Sequence, residues 1–449
     1  MHAASIRQHL VRVGLAALLC AVHGFSASPL IDAAKNLDRD AIRSLIENGA
    51  DVDAAEGDGA TALVWACYRD DLDSAEILIR AGADVNAAND LGVTALWAAS
   101  QNGNAAIVRT LLAAGAEPNK ALLAGETPLM VASRSGFPDL VELLLSKGAD
   151  PNARATREQT ALMWAASQSH PEVVEALLTH GADVRLRTES WSEMVAVPPH
   201  GYPGYNRLIP HGSETALLFA ARSGDLTSAK LLVAGGADVN DVDAGGVSAT
   251  VLAAHSGFGE LVEFLLQQGA DPNLAQAGYT ALHIAIVRRD EKMARALVSR
   301  GADPNAPIQA WTPTRRSSKD LHFPPHLVGA TPFWLAARFS EPGVMRLLVE
   351  HGADPLFVHR AEYVTTDGLK WPRRIEETTA LMAAIGMGGG SPWVQVAPDQ
   401  RESLMLESVK AAVQLGADVN ARDLNGKTAL DVAEARKYQS VATFLSRAR

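Results

Sequence analysis

The side chains best suited to chemistry in this chain gather in a few stretches. His200, His211, His322, His326 and His359 fall in or beside three of these, and imidazole is both a common zinc ligand and a common general base near neutral pH. Their positions show no Cys/His ligand spacing, and Cys-x-x-Cys-His, Gly-x-Ser-x-Gly, His-Glu-x-x-His and a phosphate-binding glycine loop are all missing from the sequence. An enzyme would need a site assembled wholly from loops, so no catalytic residue, metal or cofactor is expected. The same stretches hold Trp191, Tyr202, Tyr205, Trp311, Arg315, Arg316, Trp371, Arg373 and Arg374, with Trp393 in a fourth. Indifferent linkers are poor in aromatics, whereas Trp, Tyr and Arg carry most of the energy at binding surfaces. The chemistry expected is therefore recognition, the alternative being that these stretches pack on one another.

What must position them is a repeat. Thr61, Thr94, Thr127 and Thr160 stand 33 residues apart, each opening an Ala-Leu or Pro-Leu step into small apolar residues. Twenty-one residues after each comes Gly82-Ala83-Asp84, Gly115-Ala116-Glu117, Gly148-Ala149-Asp150 or Gly181-Ala182-Asp183. The Thr is a helix N-cap, and Pro128 suits a first helical position, where a missing N–H is no loss. A short Ala-rich helix such as Leu129–Ala132 lets a neighbour approach closely. A second helix such as Leu140–Leu145 carries a wide apolar stripe, and Gly148 provides its left-handed stop.

This double pattern resembles the ankyrin repeat family, in which Thr-Pro-Leu-His opens each unit. The resemblance spans about residues 28–449, and it implies an all-α solenoid of about eleven helix-turn-helix units with finger loops, working by protein binding. Ankyrin arrays typically bind along finger tips and a concave face of first helices. Only His283 keeps the motif's His; Trp97 and Trp334 occupy that slot, either as inter-repeat packing or as the floor of the concave groove.

Later openings at Thr215, Ser248, Thr280, Thr331, Thr379 and Thr428 come at irregular intervals, which locates four insertions. Those at about 186–209, 307–326 and 357–375 lengthen fingers on one edge, and a doubled loop costs only ~0.6 kcal/mol in closure entropy. Trp311 and Trp371 are expected to share one surface with their arginines, a basic and aromatic patch on an acidic chain. The fourth, about 386–401, separates the two helices of repeat ten; it is expected to project from the opposite edge on a mobile root at Gly388-Gly389-Gly390.

Residues 1–26 read as a signal peptide: Arg7 and Arg12, the apolar run Val13 to Val22, then Gly24-Phe25-Ser26. Export to a periplasmic or extracellular space is expected, with no transmembrane segment. The net charge of −11 becomes more negative by two when those arginines leave, which argues against nucleic acid as a partner. Cys20 lies in the leader, leaving Cys67 as a small buried apolar residue. The function expected is a scaffold for a protein partner whose identity the sequence leaves open, as it does the oligomeric state. The alternative is a structural or accessory subunit supporting an envelope enzyme or a cofactor-bearing partner.

Overall fold

The computed structural model describes residues 28–195, 204, 206–312, 322–365, 370–389 and 398–449. The leader, Tyr202, Tyr205, Arg315 and Arg316 lie outside the described residues.

Each repeat starts where its cap residue says. The Thr94 hydroxyl accepts the Trp97 amide at 3.1 Å and Thr127 accepts that of Met130 at 3.2 Å. The same bond recurs at Thr61, Thr160, Ser248, Thr331 and Thr379. Such a cap contributes ~1 kcal/mol, so helix starts are specified locally. Behind the cap, Ala95, Ala98 and Ala99 are fully buried, and small side chains let successive first helices approach closely. The second helix Pro138–Ser146 buries Leu140, Val141 and Leu144 and is closed by Gly148 at φ +87°.

The chain divides into two compact bodies, Met1–Leu186 and Arg187–Arg449. The described part of the first holds five helix pairs, from Pro29–Lys35 with Arg39–Glu47 to Ala161–Gln168 with Pro171–Thr179. The second holds six, from Ala216–Ser223 with Leu226–Ala234 to Ala429–Ala435 with Gln439–Ala448. An asparagine ladder joins neighbours within each body. Asn119 donates to the Gly148 carbonyl at 2.9 Å and accepts the Asp150 amide at 2.8 Å. Asn152 does the same to Gly181 and Asp183, and Asn305 to Gly352 and Asp354.

Two elements depart from the all-helical expectation. Strands β1 (Trp191–Val195) and β2 (Arg207–His211) form an antiparallel hairpin, as do β3 (Val358–Val364) and β4 (Arg373–Thr379). The first and third finger insertions are thus ribbons rather than loops. In repeat ten the first helix is only Ala380–Ala384, and the second, Pro398–Gln414, begins inside the stretch expected to separate them.

Candidate partner-binding surface

The first hairpin is anchored at its base. The Ser213 amide donates to the Thr188 carbonyl at 3.2 Å, and the Thr188 amide donates to the Glu214 carbonyl at 3.0 Å. Arg187 donates to the Ser213 and Val242 carbonyls, both at 2.9 Å, and pairs with Asp241. Gly212, at φ +82°, turns the strand over this base, and a Cβ there would stand 1.9 Å from the Glu189 carbonyl oxygen. One face carries Trp191 stacked on its cross-strand partner His211, ring centroids 4.3 Å apart. The other presents the cross-strand pair Met194 and Leu208, 64% and 61% exposed.

The second insertion is held on its neighbours. Ile308 and Phe323 are buried; the Thr312 amide donates to the Phe323 carbonyl at 2.8 Å, and Phe323 packs on Tyr279 at 4.9 Å. Trp311 meets Arg207 of the first hairpin, the guanidinium 5.3 Å from its ring centroid.

The hairpin of the third insertion is two-faced. Val358, Arg360 and Glu362 of β3 are exposed, whereas His359, Ala361 and Tyr363 are buried. Arg373 pairs with Glu362, and Arg360 lies 3.7 Å from Glu377. On the two strands Arg360, Arg373 and Arg374 are balanced by Glu362, Glu376 and Glu377, so this hairpin carries no basic excess; Arg315 and Arg316, the rest of the expected patch, lie outside the described residues. Trp371 itself is 38% exposed, beside Val358 and Ile375 as further exposed apolar side chains of this insertion.

Beneath β3 lies a buried polar cluster. His359 tilts against Trp334 at 4.4 Å, its Nε2 3.0 Å from the Val328 carbonyl oxygen, and His326 faces Tyr363 at 5.6 Å. Burial, then the charges of Arg338, His359 and His322, pushes the His326 imidazole down to about 4; burial likewise lowers His359. Burial, then the Glu376 carboxylate, pushes the Tyr363 phenol up to about 12. Trp334 is fully buried here, and Trp97 is 2% exposed among Val64, Val93 and Val131. Neither indole is exposed to a partner, so of the two readings of that slot the structure agrees with inter-repeat packing and not with a groove floor. They fill the space between repeats because Trp in the cap-plus-three slot points into the stack.

Cys67 is fully buried and burial pushes its thiol up, as a small apolar residue requires. Among the described residues no cluster of His, Cys, Asp and Glu is arranged to hold a metal ion. No described helix is long and apolar enough to cross a membrane.

The helix pairs, caps and finger turns have sequence counterparts. The family described as "Ankyrin repeats (3 copies)" matches residues 2–89, 30–121, 96–188 and 212–308. "Ankyrin repeats (many copies)" matches 162–233 and "Ankyrin repeat" 328–360. The chain belongs to the ankyrin repeat family. Ankyrin repeats are in general protein–protein interaction modules.

The chain is similar to the Ankyrin repeat and SAM domain-containing protein 6 of Rattus norvegicus, 38% identical over 90 residues, which is 20% of this chain and 10% of that protein. It is also similar to a putative ankyrin repeat-containing protein of Treponema pallidum (strain Nichols), 36% identical over 104 residues, 22% of this chain and 35% of that protein. The chain thus spans well under half the length of either curated relative. Among solved structures, the human ASB11 ankyrin repeat domain is 27% identical, covering 55% of this chain and 99% of that domain with a TM-score of 0.45.

Beyond the family pattern, the first helices carry a charge slot that sequence reading passed over. Arg134, seven residues after its cap, pairs with Glu126, one residue before it, at 2.7 Å and lies 5.2 Å from the Trp164 ring centroid. Arg222 repeats the ion pair with Glu214 in the second body, its guanidinium lying 5.9 Å from the ring centroid of Phe219 in its own helix. A Glu just ahead of a capping Thr and an Arg seven after it was the available signal. Met194 and Leu208 had none, because their exposure depends on a hairpin that the sequence did not announce.

Proposed function

We propose that this chain is an exported scaffold that binds a protein partner through its finger insertions and the first-helix face. The observation that carries this reading is the pair Met194 and Leu208, held in solvent on a hairpin whose base is tied by Thr188, Ser213 and Arg187. Exposed apolar side chains on a positioned ribbon match the chemistry of interface anchors, and pre-ordering lowers the entropy cost of binding. Trp191, Trp311, Trp371, Arg373 and Arg374 are the further anchors this reading assigns to the insertions, with Trp191 on the opposite face of the first hairpin from Met194 and Leu208; Tyr202, Tyr205, Arg315 and Arg316 join them by sequence position. The partner is exported as well, since the leader directs the chain to a periplasmic or extracellular space.

The test is capture of a partner from the envelope or secreted fraction by the tagged mature chain. Met194→Ser with Leu208→Ser should weaken capture at least tenfold, since anchor truncations cost ~2 kcal/mol or more. Full retention of binding by this variant would remove the insertions from the interface. The accessory-subunit reading is favoured instead if the captured protein carries a chromophore or metal that the chain alone does not bind.

A further inference from the structure

In repeat ten the chain does not leave the stack where its first helix ends. Gly386 donates to the Ala383 carbonyl at 2.9 Å and Met387 to that of Met382 at 3.0 Å, a tight reversal with Gly386 at φ +84°. By Gly388 the backbone is back beside Thr378, ahead of the helix start: a Cβ on Gly388 would stand 3.1 Å from both Thr378 Oγ1 and Trp334 Cζ2. One on Gly389 would stand 2.6 Å from the Tyr363 hydroxyl. Ala380–Ala384 is about 7.5 Å long at 1.5 Å per residue, a distance that two or three extended residues span. The root of the fourth insertion therefore runs back along its own first helix, toward the third finger. The described root, as far as Gly389, thus heads toward the third finger rather than the opposite edge, while the remainder of the insertion up to residue 397 lies outside the described residues.

Arginines from the repeats on either side hold it. Arg338 donates to the Met387 carbonyl at 3.0 Å and to that of Gly389, alternate residues of one extended segment. Arg436 donates to Ile385 at 2.9 Å and Gly386 at 3.3 Å. Arg338 occupies the slot that Arg134 and Arg222 fill in repeats four and six, seven residues after the cap. There the residue before the cap is Glu126 or Glu214, and the guanidinium rests on it; in repeat nine that residue is Ala330, and backbone carbonyls take the carboxylate's place. Beneath the segment, the Trp334 indole N–H, the Thr378 hydroxyl and one Glu376 oxygen are buried without a protein hydrogen-bond partner.

We infer that Ile385–Gly389 is a built-in occupant of the first-helix face of repeats nine and ten, latched by Arg338, so that a partner reaches this part of the face only when the segment is released. The inference rests on the scaffold reading for its regulatory sense, but the latch itself is testable without any partner. Met387 is 7% exposed and Val344, on the second helix of repeat nine, is fully buried, so a cysteine at either reports a different kind of opening. In the mature full-length chain, thiol labelling of Met387→Cys should be at least tenfold slower than labelling of a cysteine at exposed Leu123. Arg338→Gln should raise the Met387→Cys rate at least tenfold, whereas Val344→Cys stays protected. Arg134→Gln, the same slot with no segment to hold, should leave the Met387→Cys rate unchanged. Gly389→Val, which pushes the segment off from beneath without touching the helix, should reproduce the acceleration. An unchanged rate in both variants, or equal acceleration at Val344→Cys, would overturn the latch. Once a partner is captured, Arg338→Gln should tighten its binding at least threefold; unchanged or weaker binding would overturn the regulatory role. Failure to capture any partner would count against the scaffold and leave the labelling result standing.

Discussion

Acid should loosen this array through one imidazole. His283 sits at the opening of repeat eight with its Nδ1 3.0 Å from the Thr280 amide nitrogen and its Nε2 2.9 Å from the Ala306 carbonyl oxygen. The Thr280 amide can only donate and the Ala306 carbonyl can only accept, so the fold demands the neutral ring protonated at Nε2. Burial, in which the side chain is fully enclosed, pushes its pKa down to about 4 from 6.5. Because the folded value lies below the unfolded one, the unfolded chain takes up the proton first. Stability is intact above about pH 6.5, declines by about 1.4 kcal/mol per pH unit below it, and levels off below about pH 4. Between pH 7 and pH 5 the contribution lost is about 2 kcal/mol. His326 and His359 are lowered too, so the measurement is a difference. Urea midpoints and slopes are read by far-UV circular dichroism for wild type and His283→Gln, whose amide oxygen can still accept the Thr280 N–H. Wild type should lose about 2 kcal/mol more than the variant between pH 7 and pH 5. Equal losses would refute the argument, because they would show that the ring does not titrate with folding.

Three other outcomes are expected. Gly212→Ala must adopt a left-handed conformation costing ~1–2 kcal/mol and push against Glu189, so amide exchange should accelerate along Trp191–Val195 while the helical melt barely moves. Asn152→Ala removes both rungs to Gly181 and Asp183 and should cost about 1–2 kcal/mol in urea unfolding; no change would make the ladder decorative. N-terminal mass analysis of the exported protein should begin near residue 27, and an intact Met1 in the mature protein would contradict the leader.

The stack was legible because its signals are local. A Thr cap, an Ala-rich helix and a stop glycine each act within a few residues, and their recurrence at 33 made them mutually supporting. The ribbons were not, for a physical reason visible in β3: its buried positions are His359, Ala361 and Tyr363, so alternation exists without the hydrophobic alternation that announces a strand. The arginines in the insertions read as a charge excess because their partners lie across a strand pair that only the register reveals, as Arg373 with Glu362. The fate of the fourth insertion depended on Arg338, 49 residues before Met387 in the chain, a pairing no local rule contains. Trp97 and Trp334 were ambiguous because one slot can face either way until neighbouring repeats enclose it.

The asparagine ladder has a consequence for how such a chain can change over generations. In the regular repeats the donor and its carbonyl are 29 residues apart, as for Asn119 and Gly148. From Asn305 to Gly352 the separation is 47, yet the bond is 2.8 Å and the companion contact to Asp354 is 2.9 Å. The rung is blind to whatever chain is looped out between its ends. New sequence can therefore enter at a finger as cargo on a shelf, tried and discarded without renegotiating the register of the helices behind it. A designer could exploit the same indifference by grafting foreign ribbons between Thr312 and His322, keeping the buried Ile308 and Phe323, and selecting them for binding alone.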